Sequence, residues 1–206
     1  MKPVAVLMAS YSPGFPAEHL GATKKIELVA KLLQRMGYEL HYVDSGHPEQ
    51  RLAQPVQGQA AVVGESAVTL WRPACLPHRK VGKLFNVLHA GSLIDELARR
   101  KPQLIWLYNS YAFEARWGMA LQARTGARLI LELEDLPLAR HRGLNPKPHL
   151  DQWYFQRLLP RADMVTFVNA DLMQQYASRV RQSFLLPSVL QDAIATLPDR
   201  QRFSGA

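Results

Sequence analysis

Three carboxylates, Glu132, Glu134 and Asp135, stand at the end of an apolar run, where they can serve as catalytic or hydrogen-bonding groups. Residues 129–137 read Leu-Ile-Leu-Glu-Leu-Glu-Asp-Leu-Pro, without a helix-start signal between the strand and the acids. In a parallel α/β sheet, residues just past the carboxyl end of a strand face the ligand crevice. Glu134 and Asp135 are therefore candidate catalytic residues, and Glu132 joins them if the strand ends early. The alternative is that Asp135 only organises the turn before Pro137.

Basic side chains are concentrated in two segments that follow expected strands, 72–83 and 140–149. These cations are Arg72, His78, Arg79, Lys80 and Lys83 in the first segment and Arg140, His141, Arg142, Lys147 and His149 in the second. Both segments should open on the crevice side of the sheet, where they could hold an anionic ligand. The alternative is ordinary scattered surface charge.

Length and composition indicate one large domain or two small ones, and we expect one. The chain has 206 residues, of which 48% are hydrophobic, which is enough for a substantial core. No stretch approaches the ~20 apolar residues that span a bilayer, and the amino terminus does not resemble a signal peptide. The single cysteine, Cys75, excludes an internal disulfide and a thiolate metal cluster. These features predict a cytoplasmic protein.

The net charge of +8, from 25 Lys and Arg against 17 Asp and Glu, favours anionic partners such as phosphates, nucleic acid or acidic lipid. Nucleic acid is disfavoured because no recognition motif is present and the basic segments offer few aromatic residues for stacking. A dinucleotide-dependent dehydrogenase is disfavoured as well, because neither the Gly-x-Gly-x-x-Gly fingerprint nor a Walker loop occurs.

Apolar runs alternate with helical patterns along the chain, which predicts a Rossmann-like α/β domain with a parallel sheet and helices on both faces. The expected strands are 4–9, 40–43, 104–108, 128–134, 164–168 and 184–186, and 60–71 forms either a third strand or a hairpin. The expected helices are 22–36, 84–100, 112–125, 153–159 and 171–180. Gly37 and Gly126 are expected helix stops, and Asn169 is an expected helix cap.

Four segments in this order carry a resemblance to a known family. Gly21 opens the first helix, which closes with Arg-Met-Gly-Tyr at 35–38. Residues 104–111 read Leu-Ile-Trp-Leu-Tyr-Asn-Ser-Tyr, and 125–135 contain the Glu-x-Glu-Asp sequence. An Arg-Ala-Asp at 161–163 precedes the next strand. Together they resemble the amino-terminal domain of GT-B glycosyltransferases, especially the retaining family four.

The resemblance implies transfer of a sugar from a nucleotide sugar to an acceptor with retained configuration, without a metal or other cofactor. Gly21 would approach the donor phosphates, Glu134 and Asp135 would hydrogen-bond sugar hydroxyls, and Tyr108 and Asn109 would line the acceptor side. The basic segments, including Arg79, Lys80, Arg140 and Arg142, would hold a glycan or lipid-linked acceptor that carries negative charge. An anionic membrane surface is a further candidate partner, with peripheral attachment at the inner face of the membrane.

Departures from the family pattern limit this inference. Leu20-Gly21 replaces the paired glycines, and Glu134 stands where a histidine is frequent, so a histidine-dependent role does not carry over. The family's donor-binding second domain has no counterpart, which predicts a domain over 1–197 and a linker over 198–206. The isolated chain is then expected to be inactive. The alternative is a non-catalytic acceptor-binding subunit that needs a separate donor-binding partner.

Overall fold

A computed structural model describes residues 2–10, 20–45, 56–73, 91–137 and 146–187. They form one eight-stranded sheet with helices on both faces, which confirms the predicted fold class. The strands are β1 (Val4–Ala9), β2 (Glu39–Asp44), β3 (Val56–Val63), β4 (Ser66–Arg72), β5 (Leu104–Tyr108), β6 (Arg128–Leu133), β7 (Met164–Phe167) and β8 (Ser183–Leu185). The helices are α1 (Leu20–Arg35), α2 (Gly91–Arg99), α3 (Ala112–Thr125), α4 (Lys147–Leu158) and α5 (Ala170–Tyr176).

The strand order is β3-β4-β2-β1-β5-β6-β7-β8, and every pairing is parallel except that of β3 with β4. Segment 60–71 is therefore a hairpin, the second of the two predicted possibilities. Its turn contains Gly64 at φ +60°, a left-handed conformation that glycine adopts without steric cost. A Cβ at Gly64 would also come within 2.8 Å of Cγ of Glu27, so the hairpin tip packs closely on α1.

The central strands are buried on both faces because helices cover both, as expected for parallel strands. Leu33 of helix α1 belongs to the same buried apolar cluster as Leu7 and Trp106 on one face of the sheet. Helices α2 to α5 cover the opposite face around Trp117 and Phe155. These two apolar layers fix the sheet, and they leave its carboxyl edge to polar residues.

The order of the strands reverses at β1. The chain places β2, β4 and β3 on one side of β1 and then crosses over to place β5 and the later strands on its other side. Helix α1 follows β1 on one face of the sheet, and α3 follows β5 on the other face. The carboxyl ends of β1 and β5 thus border a topological switch point, where open α/β sheets bind ligands. This places the residues after β5 and β6 at or beside the crevice.

Two sequence-predicted boundaries differ in ways that affect the site. Strand β6 ends at Leu133, so Glu134 is the first residue beyond the strand. Helix α4 begins at Lys147, six residues earlier than predicted, because Pro148 occupies the first turn of the helix, where proline costs no hydrogen bond. Lys147 therefore belongs to the start of a helix, and not to a loop.

Candidate functional site

The centre of the candidate site is a buried ion cluster in which Lys25 of α1 contacts two carboxylates from β6 and its end. The Nζ atom of Lys25 lies 3.0 Å from Oε1 of Glu132 and also donates to Glu134. Trp106 donates from Nε1 to Oε2 of Glu132 at 2.9 Å, and the carbonyl oxygen of Leu186 lies 3.5 Å from Nζ of Lys25. The cluster joins α1, β5, β6 and the residue after β8.

The exposure of the three side chains in this cluster differs sharply. The side chains of Lys25 and Glu132 are 6% and 1% exposed, whereas that of Glu134 is 20% exposed. Glu134 is therefore the member that can reach a ligand. The ammonium group of Lys25 contacts the carboxylates of both Glu132 and Glu134, so these two buried residues fix the position of Glu134.

Burial and charge act in opposite directions on the pKa values of this cluster. Burial lowers the pKa of Lys25, but the hydrogen bond to Glu134 and the charge of Glu132 outweigh it, so the net pKa lies above the ordinary lysine value. Burial raises the pKa of Glu132, and the charge of Lys25 and the hydrogen bonds from Lys25 and Trp106 only partly oppose this. The pKa of Lys25 is therefore raised by its carboxylate partners, whereas the pKa of Glu132 remains raised by burial despite the neighbouring ammonium group.

The first residue after β5, Asn109, adopts a left-handed backbone conformation at φ +67°. Its amide nitrogen donates to the carbonyl oxygen of Glu132 at 2.8 Å, and its side-chain oxygen accepts from the amide of Ser110 at 3.0 Å. Asparagine is one of the few non-glycine residues that tolerate this conformation. Backbone strain of this kind clusters at ligand sites, and here it turns the chain sharply at the switch point.

A second polar group occupies the part of the carboxyl edge next to β2 and β4. Arg72 donates from Nε to Asp44 at 2.8 Å, and Asp44 is completely buried. Ser45 donates from Oγ to Glu114 of α3 at 2.5 Å. Burial raises the pKa of Glu114 to about 8, although the Ser45 hydrogen bond lowers it. This carboxyl group is consequently neutral over much of the physiological range.

The starts of α3 and α4 are joined by Asp151. It accepts from the backbone amide of Ala112 at 2.9 Å and from Nζ of Lys147 at 2.5 Å. The ammonium group of Lys147 also lies 4.7 Å from the centre of the Tyr111 ring. A buried carboxylate at the start of α3 interacts favourably with the helix dipole, so Asp151 and Lys147 stabilise this corner of the crevice.

The structure brings several of the predicted site residues to one edge. Glu134 and Asp135 follow β6, with Asp135 exposed, and Asn109 follows the adjacent β5. Gly21 lies in the first turn of α1. Tyr108 is only 3% exposed and packs in the α1-side core. Four predicted residues lie outside the described part of the chain: Arg79, Lys80, Arg140 and Arg142.

Sequence reasoning did not identify Lys25, Glu114 or Asp151 as site residues. A signal for Lys25 is present, because it falls within the buried stripe of α1 that includes Ile26 and Val29. A lysine on that stripe requires a buried partner. Glu114 carries no comparable signal, since a glutamate in the first turn of a helix is common on electrostatic grounds alone.

Among the described residues, no group of three or more His, Cys, Asp or Glu side chains is arranged to hold a metal ion. Within the same residues, no helix is both long and apolar enough to cross a bilayer.

The backbone is similar to several solved enzyme structures. Sucrose-phosphate synthase from Thermosynechococcus elongatus matches 96% of this chain at a TM-score of 0.63 and 12% identity. A ugt transferase from Siraitia grosvenorii in complex with UDP matches 92% at 0.55 and 10% identity. A UDP-glucose:anthocyanidin 3-O-glucosyltransferase in complex with UDP matches 97% at 0.50 and 13% identity. The shared property is the fold.

These three enzymes are glycosyltransferases of the GT-B fold. The matches cover 53%, 52% and 56% of their chains, so this chain spans about half the length of each. No protein-family model and no curated protein sequence matches it.

Proposed function

We propose that this chain is the acceptor-binding half of a glycosyltransferase that moves a sugar from a nucleotide sugar to an acceptor with retained configuration and without a required metal ion. The observation that carries the proposal is the partly exposed carboxylate of Glu134, held by buried Lys25 at the carboxyl edge of a Rossmann-like sheet. The likeness of the fold to glycosyltransferases supports it.

The chemistry of Glu134 fits the recognition of sugar hydroxyl groups. An ionised carboxylate accepts hydrogen bonds from two neighbouring hydroxyls, and bonds to a charged group are stronger than those between neutral groups. Lys25 keeps Glu134 in place without covering it, since the Glu134 side chain remains 20% exposed. The adjacent Asp135 supplies a second carboxylate at the same edge.

The donor and acceptor would bind on different sides of this carboxylate. Gly21 in the first turn of α1 offers backbone amides to the donor phosphates, because helix amino termini favour anions. Tyr108 and Asn109, at the end of β5, would line the acceptor side. The acceptor is a glycan or a lipid-linked, negatively charged molecule, as in polysaccharide biosynthesis, and the basic segments containing Arg79 and Arg142 would hold it.

A second candidate is a non-catalytic subunit that binds the acceptor and relies on a separately encoded donor-binding partner. The coverage of about half of each matched enzyme fits this candidate and the first one equally. The reading frame downstream of codon 206 distinguishes the two. An in-frame second domain supports the first candidate, and a stop codon supports the second.

A binding measurement tests the half-site prediction. Titration of this chain with UDP-glucose by calorimetry should show only weak binding, and a transferase assay should show negligible turnover, because a GT-B site forms between two domains. Sub-micromolar affinity of the isolated chain for a nucleotide sugar would contradict the proposal.

Substitution of the two carboxylates in a full-length enzyme tests their roles. Glu134→Ala or Asp135→Ala should lower kcat/KM by a factor corresponding to about 1.5–3 kcal/mol, the usual value of a hydrogen bond to a charged group. Glu65→Ala is the matched control, because this glutamate is 80% exposed on the hairpin tip, away from the carboxyl edge. A lower melting temperature with unchanged turnover would assign Glu134 a structural role only.

A further inference from the structure

We propose that the outer face of α4 docks on an anionic membrane surface. This surface, termed the Trp153 face, consists of Trp153, Arg157 and Arg161 with the neighbouring Arg179. The first three follow one another at intervals of four residues, so they form a single line along α4 and the short 3-10 turn after it. All four residues are exposed.

Trp153 is the aromatic centre of this face. Its side chain is 47% exposed, whereas Trp71, Trp106 and Trp117 are at most 6% exposed. The guanidinium carbon of Arg157 lies 3.3 Å from the centre of the Trp153 ring. An amphipathic ring paired with a cation suits the boundary between lipid headgroups and acyl chains, where tryptophan is enriched.

The charge of the Trp153 face has one sign. Asp151 is the only acidic residue between 147 and 161, and it is 4% exposed and directed at α3. Arg179 donates to the neutral side chain of Gln156, and Arg161 contacts the sulfur of Met119 at 3.7 Å. Their charges therefore face solvent without a neutralising carboxylate in these contacts, which is complementary to anionic phospholipid headgroups.

The exposed side of α1 is a weaker candidate for membrane docking. It presents Leu28 and Leu32, which are 41% and 47% exposed. Its cations, however, pair with carboxylates: Lys24 with Glu27, and Lys31 with Glu65, each at 2.7 Å. These pairs remove most of the attraction for an anionic surface, so the Trp153 face is the better candidate.

Helix α4 begins beside the crevice. Lys147 at the start of the helix lies against Tyr111, which follows β5 and borders the crevice. Arg161 and Arg179, by contrast, precede β7 and β8 and lie towards the opposite edge of the sheet, so the Trp153 face extends away from the crevice. The docking proposal is therefore independent of the proposed transferase activity.

Tryptophan fluorescence provides a direct test, because Trp153 is the one exposed tryptophan of four. The chain is mixed with vesicles of equimolar phosphatidylserine and brominated phosphatidylcholine, whose bromine atoms quench tryptophan on contact. Emission should fall on binding. Trp153→Phe should abolish this quenching while co-sedimentation with the vesicles persists. Equal quenching of the Trp153→Phe variant would refute the assignment.

A charge series separates the face from the overall charge of +8. The triple variant Arg157→Gln/Arg161→Gln/Arg179→Gln should bind about 100-fold more weakly, since each arginine near an anionic surface contributes roughly a factor of five. The control removes three exposed arginines elsewhere: Arg35→Gln/Arg99→Gln/Arg128→Gln. The control should change binding by less than about three-fold at 0.15 M salt, where charges beyond ~8 Å are screened.

The comparison of the two triple variants decides between docking through the Trp153 face and non-specific charge attraction. Circular dichroism establishes that both triple variants are folded before they are compared. Equal losses in the two triple variants would overturn the proposal in favour of non-specific charge attraction. Equal binding to pure phosphatidylcholine vesicles, or binding of single-stranded RNA but not of vesicles, would also overturn it. If docking is confirmed and the isolated chain also binds a nucleotide sugar with sub-micromolar affinity, only the proposed function fails.

Discussion

Replacement of Lys25 by Met should strongly destabilise the fold at neutral and alkaline pH. Methionine keeps the apolar stem of the side chain but removes the ammonium group 3.0 Å from Glu132, whose side chain is 1% exposed. Removal of one partner of a buried ion pair costs about 3–5 kcal/mol, because the remaining charge is left uncompensated. The hydrogen bond from Trp106 to Glu132 persists in the variant and limits the loss of stability. Such a loss is a large part of the ~5–15 kcal/mol stability of a typical domain.

The pH dependence of this variant has a definite sign. Burial already raises the pKa of Glu132, and loss of Lys25 removes the largest opposing influence, so the folded-state pKa rises further. The folded state then retains a proton that the unfolded state releases, and stability falls as pH rises above the unfolded carboxyl pKa of ~4.3. Lys25→Met should therefore lose much more stability at about pH 8 than at about pH 5.

Urea denaturation followed by circular dichroism at both pH values measures this effect. The double variant Lys25→Met/Glu132→Gln is the matched control, because glutamine still accepts from Trp106 but carries no charge. It should recover most of the stability that the single variant loses at the higher pH. A loss below about 1 kcal/mol at the higher pH, well under the cost of breaking a buried pair, would refute the reasoning. An equal loss at both pH values would do the same.

Three further predictions concern the rest of the fold. Burial raises the pKa of Glu114 to about 8, so the free energy of unfolding should fall as pH rises from ~4.5 towards 8. Glu114→Gln should flatten this pH dependence when urea denaturation is repeated over a series of pH values. An unchanged dependence of the unfolding free energy on pH would contradict the prediction. Gly118→Ala should lower the free energy of unfolding by about 1–3 kcal/mol, because its Cβ would lie 2.8 Å from Leu107 side-chain atoms. The control is Gly91→Ala, whose Cβ would meet nothing within 4 Å, so its thermal melt should be nearly unchanged. Asn169→Ala should lose ~1 kcal/mol with the cap to α5, while Asn169→Asp should retain it.

The amino-acid pattern alone was sufficient for much of the fold. Strands β1 and β5 and helix α3 have the predicted bounds, because each is a continuous local pattern with clear ends. Gly126 ends α3 in a left-handed conformation at φ +68°, as expected for a glycine stop. Asn169 accepts from the amide of Leu172 at 2.8 Å, which confirms the predicted cap. These features depend on interactions between residues close in sequence.

The sequence does not fix the ends of helices and strands where one residue type is compatible with two local structures. Pro148 can end a helix or occupy its first turn, and only the packing of α4 on α3 decides that it begins the helix. The stretch containing Gly64 was compatible with an interrupted strand or a hairpin. The hairpin is the correct alternative, because β3 and β4 pair antiparallel across the turn that contains Gly64.

The position of the carboxylates at the end of β6 was visible in the sequence, since an apolar strand followed by acidic residues indicates a crevice edge. Their electrostatic environment was not. Lys25 and Glu134 are separated by 109 residues, and Ser45 and Glu114 by 69. Only the folded sheet brings these groups together, and only burial in the folded chain raises the pKa of Glu132. The local pattern therefore determined which residues stand at the carboxyl edge of the sheet, whereas tertiary contacts decided which groups they pair with there.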